Sequence, residues 1–131
     1  MWVPLIESGE HLLEGADWFV QKYLTQLLQQ DNRLDTLILA CTHYPLLLPK
    51  IQSCLNQLYN NGLAKSIPTI ISQGRIVAQS LQDYLLRHPQ IENTCSKNGS
   101  CRFLTTEDTD KFSQSASIFL STPITAEHIE L

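Results

Sequence analysis

Apolar positions along the chain follow two periods in turn. Between Ala16 and Gln29 they fall at Trp18, Phe19, Tyr23, Leu24, Leu27 and Leu28, the spacing of a helix, with Asp17 in the first turn where a carboxylate suits the helix dipole. Asp31-Asn32-Arg33 closes that helix, and Thr36–Ala40 reads as a buried strand that runs up to Cys41. Beyond Pro45 the period returns to helical, predicting a helix over about Leu46 to Leu58 with Leu47, Leu48, Ile51, Cys54, Leu55 and Leu58 on one side. Tyr59-Asn60-Asn61-Gly62 is its stop. Ile67–Ile71 reads as a second strand ending at Ser72-Gln73-Gly74, and a helix over about Arg75 to Leu86 is closed by His88-Pro89. Gln90–Ser100 is polar, contains Asn98-Gly99 and reads as a loop. Arg102–Thr105 is a short strand, Thr106, Glu107 and Asp108 open a last helix through about Phe119, and Ala126–Leu131 adds a terminal strand.

Strands and helices that alternate in this way predict an α/β fold, a parallel sheet with crossover helices. Three or four strands are few for a doubly wound sheet. At the start of the chain, Trp2-Val3-Pro4-Leu5-Ile6 is apolar with no turn or cap before it, and it runs into the loop signal Glu7-Ser8-Gly9. A self-contained domain seldom begins inside a buried segment, so the pattern is expected of a portion of a larger enzyme. There is no internal repeat and no low-complexity segment.

Composition narrows the partners. A chain of 131 residues is one domain at most, and 43% hydrophobic against 17% charged residues allows a packed core. Nine basic against 13 acidic side chains, with no basic cluster, argue against a nucleic-acid partner, because phosphate binding needs grouped Lys and Arg. No apolar run approaches the roughly 18 residues of a membrane span, and no signal peptide is visible. Cys41, Cys54, Cys95 and Cys101 are too few and too scattered for a disulfide framework, which favours a reducing cytoplasm.

The candidate chemistry sits at Cys41-Thr42-His43, since a thiol at the C-terminal end of a buried strand is where an open α/β sheet places its reactive groups. Cysteine works as a base or nucleophile only as thiolate, a form favoured by a helix N-terminus or a partner imidazole. Both are within reach of Cys41: the helical pattern starts just beyond Pro45, and His43 is two residues on. The Thr42 hydroxyl and the backbone amides of that helix start could bind a carboxylate. A lone cysteine after a strand is also an ordinary small core residue. Cys41-x-His43 is half a metal site at best, and no second pair with zinc-ligand spacing exists, so no metal is expected. Cys95 and Cys101 in the polar loop read as incidental, His11, His88 and His128 as solvated surface residues, and the Trp18/Tyr23/Leu27 stripe as core.

Leu37-Ile38-Leu39-Ala40-Cys41-Thr42-His43-Tyr44-Pro45-Leu46-Leu47 resembles glutamate racemase around the second of that family's catalytic cysteines. Val3-Pro4-Leu5-Ile6-Glu7-Ser8-Gly9 resembles the segment with its acidic active-site residue, Ile70–Ala78 the strand, loop and helix that follow, and Phe103-Leu104-Thr105-Thr106 its closing segment, so the resemblance spans nearly the whole chain. Related aspartate and hydantoin racemases usually carry an acid where His43 stands. The chain departs from the family in Ala40, where Gly is usual, and in Ser72-Gln73, where Asp-Ser usually precedes the glycine.

The resemblance implies a cofactor-independent, two-base racemisation of glutamate, supplying D-glutamate for peptidoglycan. Cys41 would be the base or acid for one enantiomer, His43 would tune it or relay its proton, Thr42 would contact the substrate carboxylate, and Glu7 would assist from the facing loop. Without the resemblance, Glu7 reads as a surface acid. The family enzyme has a second cysteine in a first half to which nothing before Cys41 corresponds. The chain is therefore expected to be a C-terminal portion of a two-lobed fold, with about 1–72 from one lobe and about 73–131 belonging to or packing on the other. Alone it is expected to have little activity, and to self-associate through apolar surface at Trp2, Val3 and Leu5. A non-catalytic α/β binding module that retains the motif, and a racemase of the same superfamily acting on another amino acid, are the alternative readings.

Overall fold

Met1–Ile6, apolar and uncapped in sequence, coils into a short helix, α1 (Trp2–Glu7). Pro4 is tolerated there because first-turn amides have no partner within the helix. The computed structural model describes Met1–Leu131, and these residues divide into two compact units, Met1–Gln82 and Asp83–Leu131. Helix α1 stops at Ser8, whose N–H donates to the Pro4 carbonyl, and Gly9 follows at φ 75°, a left-handed conformation that suits glycine just beyond a helix end. Leu5 and Ile6 are buried, Trp2 and Val3 half-buried. The apolar surface expected at Trp2, Val3 and Leu5 is thus largely covered, because the helix turns Leu5 into the core.

A 3₁₀ turn over Glu10–Leu12 leads into helix α2 (Gly15–Gln30), which packs on helix α3 (Leu48–Asn60). The buried ridge of α2 is Ala16, Val20, Leu24 and Leu28, every fourth residue, rather than Trp18, Tyr23 and Leu27. At about 100° per residue Trp18 lies on the far side of that ridge, where it is 57% exposed, while Tyr23 and Leu27 flank it half-buried. His11 departs from its expected surface position: at the 3₁₀ turn it is 3% exposed, and its Nδ1 is buried without a hydrogen-bond partner within the chain.

Strand β1 (Thr36–Leu39) pairs in parallel with β2 (Thr69–Ser72), in a register that sets Ile38 against Ile71 and Leu39 against Ser72, with α3 as the crossover. Pro68 has no N–H to give to a ladder, so β2 begins at Thr69, whose N–H donates to the Asp35 carbonyl at 2.7 Å. Burial alternates along β1, with Leu39 covered and Ile38 59% exposed. The strand is therefore half-covered, unlike the fully buried strand its apolar run suggests. Helix α4 (Gln73–Arg87) follows β2 at once and buries no side chain.

In Asp83–Leu131, part of the expected loop is a short helix, α5 (Pro89–Glu92), started by Pro89 at a position where its missing N–H costs nothing. The rest turns at Asn98-Gly99, where the Ser100 N–H and Oγ both donate to Asn98 Oδ1. Strand β3 (Phe103–Thr105) pairs in parallel with β4 (Ala126–His128), with α6 (Thr109–Leu120) as the crossover, so the strands form two parallel pairs and not one sheet. Asp108 caps α6 by accepting from the Lys111 N–H at 2.8 Å. Ser113 and Ser117 on α6 accept from the N–H groups of Ala126 and Ile124, each at 2.9 Å, tying the helix to the approach of β4.

These positions separate core from surface on α2. Leu24→Ala is expected to lower unfolding stability by about 2–5 kcal/mol, and Trp18→Ala by about 1 kcal/mol or less, its contacts being an edge-on Phe19 ring and the Lys22 ammonium. Denaturant midpoints of the two variants check this; equal losses would contradict the burial pattern.

Candidate functional site

Leu39 is the last residue of β1 and is buried; Ala40 and Cys41 then carry the chain out of the sheet. The chain reverses through a 3₁₀ turn over Tyr44–Leu47, with Pro45 in its first turn. The Tyr44 N–H donates to the Cys41 carbonyl at 3.1 Å and the Leu46 N–H to the His43 carbonyl at 3.0 Å. Helix α3 begins only at Leu48, with Pro49 in its first turn. The helix expected from just beyond Pro45 thus opens as a 3₁₀ turn, and the α-helix proper starts two residues later, at Leu48. The Tyr44 amide is also already spent on the chain itself.

That turn gathers the candidate residues. Cys41 Sγ lies 3.7 Å from His43 Nδ1, and Thr42 Oγ1 lies 3.5 Å from the same nitrogen. The other ring nitrogen, Nε2, faces Glu7 Oε1 at 3.3 Å. Glu7 arrives from a distant part of the sequence, as the last residue of α1, and α1 packs against the Tyr44–Leu47 turn. The Trp2 ring stands edge-on to Tyr44 with centroids 4.9 Å apart, and edge-on to Tyr23 at 6.0 Å. Thiol, imidazole and carboxylate therefore form a line, Cys41–His43–Glu7. Such a line can move a proton: Nδ1 accepts it from the thiol while the carboxylate at Nε2 stabilises the resulting cation. The imidazole is half-buried, the Glu7 carboxyl and the Thr42 side chain are exposed, and the line is open to solvent.

The sequence pattern missed the aromatic contact that docks α1 here. Trp2 and Tyr44 are far apart in the chain, and only the apolar character of each was visible. The two departures from the racemase pattern also have places. Ala40 is exposed, so its methyl group meets no packing constraint, while Ser72 ends β2 beside Leu39 and helps line a surface cavity of about 350 Å³ with Leu48, Gln52 and Ile70.

All four cysteines are free thiols. Cys54 is buried on α3; burial foremost, with the Asp17 carboxylate adding to it, pushes its thiol pKa up. Cys95 and Cys101 are exposed. No group of three or more His, Cys, Asp or Glu side chains is arranged to hold a metal ion, and no helix is long and apolar enough to cross a membrane.

No protein-family model matches the chain. Individual proteins do. The chain is 36% identical over 125 residues to a glutamate racemase of Paracoccus denitrificans, covering 95% of itself and 41% of that protein. It is 35% identical over 133 residues to a glutamate racemase of Streptococcus uberis, covering 99% of itself and 45% of that protein. A crystal structure of a glutamate racemase isoform from Bacillus anthracis superposes with a TM-score of 0.70 at 27% identity, over 98% of this chain and 44% of that one. The chain thus spans less than half the length of these relatives, and over almost all of its own length it is similar to the first two in sequence and to the third in fold as well.

The state of Cys54 has two consequences. In the folded protein, iodoacetamide at neutral pH is expected to modify Cys95 and Cys101 and to spare Cys54, as read by peptide mass mapping. A thiol whose folded pKa lies above its unfolded value favours folding below the unfolded value, near 9.0, and that contribution is lost as pH rises through the folded value. Stability should therefore fall more steeply above about pH 9 in the wild type than in Cys54→Ala; parallel curves from denaturant titrations would refute the assignment.

Proposed function

We propose that this chain, similar over its length to a segment of glutamate racemase, supplies one of the two proton-transferring faces that interconvert L- and D-glutamate. The reading is carried by the Cys41–His43–Glu7 line at the end of β1, and the likeness to racemases of Paracoccus denitrificans and Streptococcus uberis supports it. Inverting a carbon without a covalent electron sink requires a base on one face and an acid on the other. Cys41 is the base or acid of one face. His43 holds or relays its proton, and Glu7 fixes the imidazole and stabilises its cationic form. Thr42, exposed beside the imidazole, contacts the substrate carboxylate. The chemistry needs no cofactor. Its product, D-glutamate, feeds peptidoglycan assembly, and a reducing cytoplasm suits a mechanism that depends on a free thiol.

In the same proposal the chain is the C-terminal portion of a two-lobed enzyme, with about 1–72 in one lobe and about 73–131 belonging to or packing on the other. Cys54, the second thiol within Met1–Gln82, is buried on α3 and cannot serve the opposite face. A polypeptide of these 131 residues is accordingly expected to turn over glutamate negligibly. Self-association belongs to the proposal too, through the exposed Ile38 on β1 and Ile76, Val77 and Leu81 on α4; a monodisperse monomer in light scattering would count against it.

The decisive experiment transplants the chain into the matching segment of a full-length relative and follows D- to L-glutamate conversion by circular dichroism. The chimaera should racemise, Cys41→Ala should lower the rate by roughly 10²- to 10⁴-fold, and Glu7→Gln should lower it less. Racemisation that survives Cys41→Ala, or clear turnover by the 131-residue polypeptide alone, would sink the reading.

A further inference from the structure

Glu7 is an exposed side chain at the end of a six-residue helix, and nothing in α1 itself fixes where that carboxylate points. A helix this short is marginal in isolation, and α1 has no side-chain cap at its N-terminus. Its place is set by what it packs on. Leu5 and Ile6, adjacent and buried, anchor α1 to the core near its Glu7 end. Trp2 supplies a second contact at the opposite end of the helix. Its ring stands edge-on between Tyr44 and Tyr23, at 4.9 Å and 6.0 Å with interplanar angles of 77°. Tyr44 is the residue after His43, so the contact joins α1 to the backbone that carries the imidazole. Trp2 Nε1 is buried without a hydrogen-bond partner within the chain, so the ring is held by its aromatic edges and its packing, not by its N–H.

We propose that Trp2 is a positioning residue for the candidate site: its ring, wedged against Tyr44, holds α1 so that Glu7 stays on His43 Nε2. The proposal rests on the reading of Cys41, His43 and Glu7 as one proton-transfer line, and its test separates the two.

The readout is the rate at which iodoacetamide alkylates Cys41 at neutral pH, resolved by peptide mass mapping, with the exposed Cys95 and Cys101 of the same molecule as internal references. Loss of a carboxylate from a partly exposed imidazole should slow Cys41 in Glu7→Gln by roughly two- to fivefold and leave the references unchanged. Trp2→Ala should slow it by the same factor. The double variant should be no slower than Glu7→Gln alone, because Trp2 acts only through Glu7. Trp2→Phe, which keeps an aromatic edge while losing the unbonded N–H and one ring of the indole, should stay close to wild type. If Trp2→Ala does not fold by circular dichroism, Trp2→Leu replaces it, keeping apolar bulk without the ring. Full Cys41 reactivity in the tryptophan variant while Glu7→Gln is slowed would overturn the proposal and leave the site reading intact. Slowing that adds to that of Glu7→Gln, or that Trp2→Phe does not rescue, would also overturn it, since simple loss of packing would then explain the effect. Unchanged reactivity in both Glu7→Gln and His43→Asn would instead remove the site reading itself.

Discussion

The reversal between β1 and α3 is pinned at both ends by leucines, Leu39 at 2% exposure where the strand ends and Leu47 fully buried where the 3₁₀ turn ends. Between two such anchors the chain has little freedom, and Pro45 removes more by fixing one φ. Cys41, Thr42 and His43 all lie in this short span. A thiol and an imidazole two residues apart on a flexible loop would meet only part of the time. Here burial of the flanking leucines holds the span in which Sγ and Nδ1 lie 3.7 Å apart. Everything proposed for the site depends on that pin.

His43 occupies a compromise between two electrostatic demands. Full burial would strengthen its pairing with Glu7 but penalise the charged imidazole, which a proton relay must form and discharge. Full exposure would let water screen the carboxylate until it had little influence. The ring is half-buried, with one nitrogen toward the thiol and the other toward an exposed carboxylate. Cys54 is the contrast within the same unit. Buried on α3, where Asp17 further disfavours its anion, it is held as an inert thiol.

The local rules legible in sequence were those that involve neighbours along the chain. Helical spacing located α2 and α3, the Thr106-Glu107-Asp108 segment marked the approach to α6, and the apolar run before Cys41 marked β1. What escaped was decided by partners far away in sequence. Helical spacing makes Trp18, Tyr23 and Leu27 a core stripe, yet the face that α2 offers to α3 is set by the every-fourth-residue ridge of Ala16, Val20, Leu24 and Leu28. His11 was read as surface because nothing beside it in sequence would bury it. The four-residue α5 is small enough that a single residue, Pro89, decides where it starts. For the candidate site, the Cys41-Thr42-His43 cluster was visible as a motif. The link to Glu7 drew only on resemblance, because no periodicity connects α1 to a turn beyond β1.

Two-stranded sheets are marginal by themselves, so each parallel pair depends on what packs around it. The two units differ sharply here. Met1–Gln82 contains nearly all the buried apolar side chains, from Leu5 and Ile6 through the α2–α3 ridge to Ala64. In Asp83–Leu131 the buried residues are Thr105 and Ala126, and the unit relies on hydrogen bonds such as those from Ala126 to Ser113 and from Ile124 to Ser117. Regions with few buried apolar contacts open first, at a fraction of the free energy of the core. Glu7, Cys41, Thr42 and His43 all belong to the core-rich unit. Their geometry is thus built on the buried apolar side chains of that unit, Leu39 and Leu47 among them.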